Sequence, residues 1–165
     1  MDYARFRDYN DYIIFMNGKV YSLISNMFLK PCLNKKSGYF QFSLSKDKKV
    51  KIFLLHRILA ECFIKNPHNF TTIDHIDRNK QNNKISNLRF ASKTLQSINR
   101  NIHKTNTSGI VGVRFHKKNN YYIAFWRINY KLFSKTFSLN KYPNAKQLAI
   151  DYRAKMVEKH YKDVI

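Results

Sequence analysis

An aspartate directly followed by a histidine, Asp74-His75, opens the polar stretch at 73–92. Hydrolysis of a phosphodiester bond needs a base that activates water and a cation that neutralises charge on the phosphate. A neutral histidine can be the base, and a carboxylate can hold a Mg²⁺ that keeps positions for phosphate and water. Neighbouring strand residues point to opposite faces, so a bend or a second element must bring both groups to one site. The alternative is a polar surface loop that happens to contain a histidine.

The flanking segments predict the elements that position this pair. Short apolar runs from 12 to 55, separated by turn signals such as Asn17-Gly18, predict antiparallel hairpins. Apolar residues at helical spacing predict a helix within 54–67, where a proline closes the segment. After the polar stretch, "SKTLQSINRN" predicts a second helix with Ser92 as its N-cap.

A second pattern follows a polar segment. Residues 102–108 lack apolar periodicity and predict a linker. Three strand-like runs, "GIVGVRFHK", "YYIAFWRIN" and "KLFSKTFS", predict an antiparallel sheet with turns at 118–120 and 129–130. The amphipathic helix "NAKQLAIDYRAKMVEKHY" is predicted to cover one face of this sheet. The predicted modules are 1–101, with the hairpins and the Asp-His pair, and 109–165, the three-stranded sheet packed on one helix.

The period of two along these strands separates the two faces of the predicted sheet. The residues predicted to face the helix are Val113, Phe115, Tyr122, Ala124 and Trp126. Those predicted to face outward are Arg114, His116 and Arg127. An outward basic row is typical of a DNA-contacting sheet, although a merely solvated sheet of this composition would look basic too.

The charge balance predicts a polyanionic partner. Lys and Arg number 31 against 10 Asp and Glu, a formal net charge of +21. A polyanion relieves the self-repulsion of such an excess, so nucleic acid is the predicted partner, with a membrane surface or a ribosomal role as alternatives. Cys32 and Cys62 form no C-x-x-C pair, which excludes a zinc ribbon and argues against a disulfide framework. Without a signal peptide or membrane-length apolar run, a soluble intracellular protein is expected.

The segments "LHRILAECFIKNP" and "TIDHIDRNKQNNKISNLRFAS" strongly resemble the HNH endonuclease family, in the subgroup of phage, intron and viral homing enzymes. The resemblance covers about 12–101 and implies a ββα-metal fold, in which two strands, a loop and a helix grip one metal ion. It implies that His75 is the general base, that Asp74 is a metal ligand, and that Asn87 pins the loop and orients the histidine. It also implies one divalent ion, Mg²⁺ or alternatively Mn²⁺, double-stranded DNA as substrate, and a phage, viral or intron-encoded origin.

One position departs from the family's pattern. The third position of the motif, usually His or Asn, is here Gln96, and Asn99 is the alternative second ligand. Two readings follow: an active metal-dependent DNA endonuclease that nicks or cuts both strands, or a catalytically weakened or inactive DNA-binding protein. An RNA-binding or ribosome-associated protein is a third reading, which rests on charge alone. The oligomeric state stays open, with a monomer favoured over a dimer.

Residues 107–161 resemble the APETALA/ethylene-responsive-factor DNA-binding domain, in "SGIVGVRFHKKNNYYIAFWRI", "SKTFS" and "NAKQLAIDYRAKMV". That family lays its sheet into the major groove. Phe125 replaces a usual acidic residue and His116 a usual arginine, so the sequence preference does not carry over. His56 is predicted to pack against the motif or contact phosphate. The predicted DNA-contacting residues of the whole chain are Arg57, Lys80, Lys84, Arg89, Arg100, Arg114, His116, Lys118, Arg127, Lys131 and Phe133.

Overall fold

The computed structural model describes residues 2–128 and 131–161. Over these residues the protein is a mixed α+β fold with several antiparallel sheets and few helices, which confirms the predicted class. The chain divides into two compact units, Met1–Ser92 and Lys93–Ile165. The module boundaries expected from the sequence stay a prediction, and the predicted turn at Asn129-Tyr130 lies outside the described residues. In the described part of the chain, no helix has the length and apolarity needed to cross a membrane.

Seven short strands form two antiparallel sheets in the first unit. The first sheet contains, in order, β1 (Tyr3–Phe6), β2 (Tyr9–Phe15), β3 (Val20–Ser22) and β4 (Met27–Leu29). The second contains β5 (Cys32–Asn34), β6 (Tyr39–Lys46) and β7 (Lys49–Leu54). The apolar runs of the sequence correspond to β2, β3, β6 and β7. The pattern missed β1, β4 and β5, since strands of three or four residues are too short to display a period of two. The equally short β3 was predicted because it lies within the longer apolar run "KVYSLIS".

Helix α1 (Leu55–Phe63) follows β7 directly and packs on the hairpins through one apolar face. Its Ile58 and Leu59 are fully buried, in one core cluster with Ile14, Phe42 and Leu44. Burying each such side chain contributes about 1.5–3 kcal/mol. This core fixes α1 in place, and α1 in turn contacts the strands that carry the Asp-His pair.

Strands β8 (Thr72–His75) and β9 (Leu88–Ala91) form a two-stranded antiparallel ribbon. A loop and a short 3₁₀ turn, Ile85–Asn87, connect them. Ile73 of β8 and Leu88 of β9 join the hydrophobic core of the first unit. The ribbon is therefore anchored by its apolar residues. Its polar residues Asp74, His75 and Arg89 lie at the end next to the connecting loop.

The second unit contains α2 (Lys93–Ile98), a three-stranded antiparallel sheet and α3 (Ala145–Tyr161). The sheet strands, in order, are β10 (Val113–His116), β11 (Tyr121–Ile128) and β12 (Lys131–Ser138). Val113, Ala124 and Phe137 pack with Ala145 and Ala149 in one core cluster. Within the predicted linker, the Thr107 and Ser108 hydroxyls both bond to β10 backbone, so this segment is held against the sheet.

Candidate functional site

Asp74 is held by an arginine on the neighbouring strand. The register of the ribbon places Asp74 opposite Arg89, and Asp74 exposes only 9% of its surface. Nε and Nη2 of Arg89 donate to the Asp74 Oδ2 at 3.1 and 3.0 Å. Both charged groups are largely buried. Removing either one would leave the other with the cost of its desolvation and no attraction to offset that cost. Arg89, predicted to contact phosphate, therefore also neutralises the acid of the motif.

The imidazole of His75 is held from the loop between the two strands. Its Nε2 lies 3.3 Å from Oδ1 of Asn83. The Asn83 amide donates from Nδ2 to the Gln81 carbonyl at 3.1 Å. This bond identifies the atom beside His75 as the amide oxygen of Asn83. Of the two tautomers of a neutral imidazole, an acceptor beside Nε2 favours the one that carries its proton there. In that tautomer the basic nitrogen of His75 is Nδ1.

Two further rings enclose His75. The ring centroid of His56, on α1, lies 5.1 Å from that of His75, and the Tyr39 centroid lies 4.7 Å from His56 and 5.9 Å from His75. Burial, with smaller contributions from the nearby His75 and Arg57, lowers the pKa of His56 to about 3. Burial also raises the pKa of Tyr39, with Asp74 adding to the effect. Both rings are thus neutral at ordinary pH, and they confine the plane of His75.

Asn87 ties the two ends of the loop together. Its Oδ1 accepts from the Asp77 backbone N–H at 3.0 Å, and its Nδ2 donates to Asp77 Oδ1 at 2.9 Å and to the Asn82 carbonyl at 2.8 Å. The Asn82 amide donates to the other Asp77 oxygen at 2.7 Å, and this bond is the main cause of the lowered pKa of Asp77. Asn82 precedes Asn83, so Asn87 holds the segment that bonds to His75.

The predicted ligands offer oxygen donors, which are the kind that a hydrated Mg²⁺ accepts. Over the described ranges 2–128 and 131–161, no group of three or more His, Cys, Asp or Glu is gathered as in a protein-only metal cage. Mg²⁺ needs only one or two protein carboxylates because it keeps several waters. Asp74 is such a carboxylate, and the amide oxygens of Gln96 and Asn99 are equally hard donors. Gln96 lies on α2 and Asn99 just after it, both in the second unit.

The segment that carries α1, the ribbon and its loop matches a known family. Residues 54–97 match the family described as HNH endonuclease. This HNH segment, residues 54–97, contains Asp74, His75, Asn87 and Gln96, and over these residues the match confirms the predicted resemblance to HNH endonucleases. The matched residues include both α1 and the ribbon that carries the Asp-His pair.

Curated relatives and one solved structure resemble the chain more widely. An uncharacterized HNH endonuclease, L245, of Acanthamoeba polyphaga mimivirus is 40% identical over 83 residues, which is 50% of this chain and 25% of that protein. The DNA endonuclease I-HmuI of Bacillus phage SP01 is 35% identical over 88 residues, 53% of this chain and 50% of that protein. The chain therefore spans half or less of these relatives. Their sources support the predicted phage or viral origin.

The solved structure is described as "DNA binding and cleavage by the HNH homing endonuclease I-HmuI". The likeness covers 86% of this chain and 80% of that one, with a TM-score of 0.53 and 27% identity. The relatives, the HNH segment and this likeness agree in resembling HNH endonucleases.

The predicted DNA-contacting residues outside the ribbon of the HNH segment are mainly exposed. In the first unit Arg57, Lys80 and Lys84 face solvent. Lys80 Nζ donates to the Ser37 carbonyl at 3.0 Å and lies 4.8 Å from the Tyr39 ring centroid. Lys80 thus connects the loop to the turn before β6. The exposed predicted contacts of the second unit are Arg100, Arg114, Lys118, Arg127, Lys131 and Phe133.

His116 differs from these exposed residues. Its ring is half-buried and stacks on Tyr121, with centroids 4.9 Å apart, and its Nδ1 accepts from the Asn119 backbone N–H at 3.3 Å. The structure therefore gives His116 a local role in capping the turn after β10. Its DNA contact, like those of the other predicted residues, stays a prediction.

The neutral His56 predicts an acid-sensitive fold. Because its pKa is about 3 in the folded protein against 6.5 ordinarily, the unfolded chain binds the extra proton between these values. The stability from neutral His56 is complete above about pH 6.5 and is lost as pH falls toward 3. His56→Phe, which keeps a ring against His75, should lower the pH dependence of the unfolding free energy by up to about 1.4 kcal/mol per pH unit.

Urea denaturation at a series of pH values between about 4 and 7 measures this effect. His68→Phe is the matched control because His68 is exposed in the same unit. Parallel pH profiles for the wild type and His56→Phe would contradict the buried, neutral state of His56.

Proposed function

We propose that the chain is a metal-dependent DNA endonuclease of the HNH homing type. The observation that carries the proposal is the joint placement of Asp74 and His75 on one ribbon, within the matched segment, with a loop tied down by Asn87. The likeness to the I-HmuI structure, which is described as one of DNA binding and cleavage by that enzyme, supports DNA as the substrate class. The net charge of +21 favours the same polyanion.

In this proposal Asp74 holds the divalent ion, and Gln96 or Asn99 supplies an amide oxygen as second ligand. A bound Mg²⁺ supplies charge stabilisation at the phosphate and at the leaving oxygen. Arg89 fixes the Oδ2 of Asp74, since both donors of the guanidinium meet that oxygen. Asp74 therefore presents its charge in one orientation.

His75 serves as the general base of the proposal. Its Nδ1 takes the proton of the attacking water, while Asn83 keeps the other ring nitrogen in place. Tyr39 and His56 prevent the ring from turning away, because both pack against it from the first unit. Asn87 acts as a positioning residue, since its contacts reach the histidine only through the loop.

The second unit is proposed to select the DNA site. Its three-stranded sheet and the helix that packs on it support the likeness to an APETALA-type domain. Exposed Arg114 and Arg127 on the strands, with Lys131 at the strand end, would contact phosphates and base edges. The first unit would then cut wherever the second unit is bound.

Metal removal tests the proposed activity. Purified chain with supercoiled plasmid and Mg²⁺ or Mn²⁺ should produce the open-circular form, because one site cuts one strand. Excess EDTA should abolish the product while a gel shift with duplex DNA persists, since binding rests on the basic surface. A chain that shifts duplex DNA but gives no nicked plasmid with either metal would favour the inactive DNA-binding alternative instead.

A further inference from the structure

A basic cavity of about 530 Å³ lies within the second unit. Segments of α2, the sheet and α3 line it. Its charged lining residues are Lys93, Arg100, Arg114, Arg127 and Arg153. No acidic side chain is among the lining residues of the described chain. A concave site with this imbalance attracts anions, because low-dielectric walls focus the field of its cations.

Arg153 is the buried cation of this cavity. It exposes only 8% of its surface, and its Nε and Nη1 have no hydrogen-bond partner within the described residues. It also forms no ion pair in that part of the chain. Burial lowers the pKa of the Arg153 guanidinium, which shows how far it has been withdrawn from water. Native structures rarely leave such donors unmatched, so an acceptor from outside the fold would complete the site.

The backbone of Gly112 lies directly against the side chain of Arg153. A Cβ at Gly112 would lie 2.2 Å from the Arg153 Nε, so a larger residue there would force the guanidinium to shift. The backbone φ of +83° at Gly112 also favours glycine. The indole Nε1 of Trp126, a second lining residue, is likewise buried without an acceptor in the described part of the chain. The polar groups left unmatched here are donors, which suits a ligand rich in acceptor oxygens.

The remaining wall of the cavity is apolar. It includes Ile123, Phe125 and Leu132 beside Trp126. The volume lies within the range of small-molecule sites and far exceeds the needs of a lone phosphate. A phosphate linked to a flat or apolar group would match both walls, since aromatic side chains stack readily on nucleobases.

We propose that this cavity binds a nucleotide unit, with its phosphate toward Arg153 and its base or sugar against the apolar wall. The unit can come from a DNA strand or from a free nucleotide. This site is distinct from the Asp-His pair of the HNH segment and needs no cleavage, so it can fail or hold independently of the proposed nuclease activity. Arg153 was not among the DNA contacts expected from the sequence.

Titration calorimetry on the full chain in EDTA, where cutting is prevented, tests the proposal. The probes are inorganic phosphate, deoxyadenosine 5′-monophosphate and a duplex oligonucleotide. The variant Arg153→Met removes the charge at similar length, and Lys155→Met removes an exposed charge from the same helix. Arg153→Met should raise the dissociation constant of whichever phosphate-bearing probe binds by about tenfold or more. The dissociation constant for Lys155→Met should stay close to that of the wild type.

Circular dichroism checks the fold of each variant. If Arg153→Met does not fold, Trp126→Phe replaces it, because this variant loses the Nε1 donor and keeps a ring; it should weaken binding severalfold. Binding of the monophosphate identifies a free nucleotide as the source, and binding of the duplex alone identifies a strand phosphate. No binding of any probe, or equal binding by wild type and the folded variant, would overturn the site.

Discussion

His75→Ala should lower the rate of plasmid nicking by about 10²–10⁴-fold, because the water then loses its general base. Binding of duplex DNA should persist, since His75 contributes no part of the exposed basic surface. The rate is measured with Mg²⁺ under single-turnover conditions, so that product release does not hide the chemical step. Affinity is measured separately in EDTA.

His68→Ala provides the matched control for this loss. His68 lies in the same unit and is exposed, so its removal should leave both the nicking rate and the affinity unchanged. Nicking by His75→Ala at the wild-type rate would remove the histidine from the mechanism. Equal loss in both variants would point to a damaged preparation.

Asp74→Asn should abolish nicking and destabilise the first unit by roughly 3 kcal/mol, because Arg89 would then remain buried without its counter-charge. Both side chains of the pair are largely buried, with 11% and 24% of their side-chain surfaces exposed. The activity is read from plasmid nicking across a Mg²⁺ titration. The stability is read from urea denaturation of the same variant.

The double variant Asp74→Asn with Arg89→Gln separates the two roles of Asp74. A neutral amide pair can exchange a hydrogen bond, so most of the lost stability should return. Nicking should not return, because the carboxylate that holds the ion is still missing. Nicking restored by the double variant would show that Asp74 acts only through the ion pair.

The sequence predicted the elements whose pattern is local. Helix α1, strands β11 and β12 and helix α3 could be predicted because their apolar residues recur at 3.6 or 2 residues over a long enough run. The pair of Asp74 with Arg89 could not, because it depends on the register between two strands that are separated by a loop. The rings of Tyr39 and His56 around His75 likewise come together only through tertiary packing.

Arg153 was overlooked although the sequence carries a signal for it. It lies four residues after Ala149 and three before Met156, and all three are buried on one side of α3. A charged residue at that spacing interrupts an apolar stripe, which is unusual unless the charge has a partner. Only the structure shows that a cavity and Gly112 lie beside it.

The loop tied down by Asn87 has a consequence for inheritance. The base of the proposed reaction, the asparagine beside it and the residue that fixes both come from one ribbon between Thr72 and Ala91. Such a ribbon keeps the hydrogen-bonded support of its histidine when it passes between genes, whereas the packing of Tyr39 and His56 requires β6 and α1 to accompany it. The alignment with L245 covers only 25% of that protein, so similar sequence already occurs there within a much longer chain. A lineage could thus change its DNA targets by exchanging the three-stranded sheet and α3, while α2 with Gln96 and the following Asn99 stay with the ribbon.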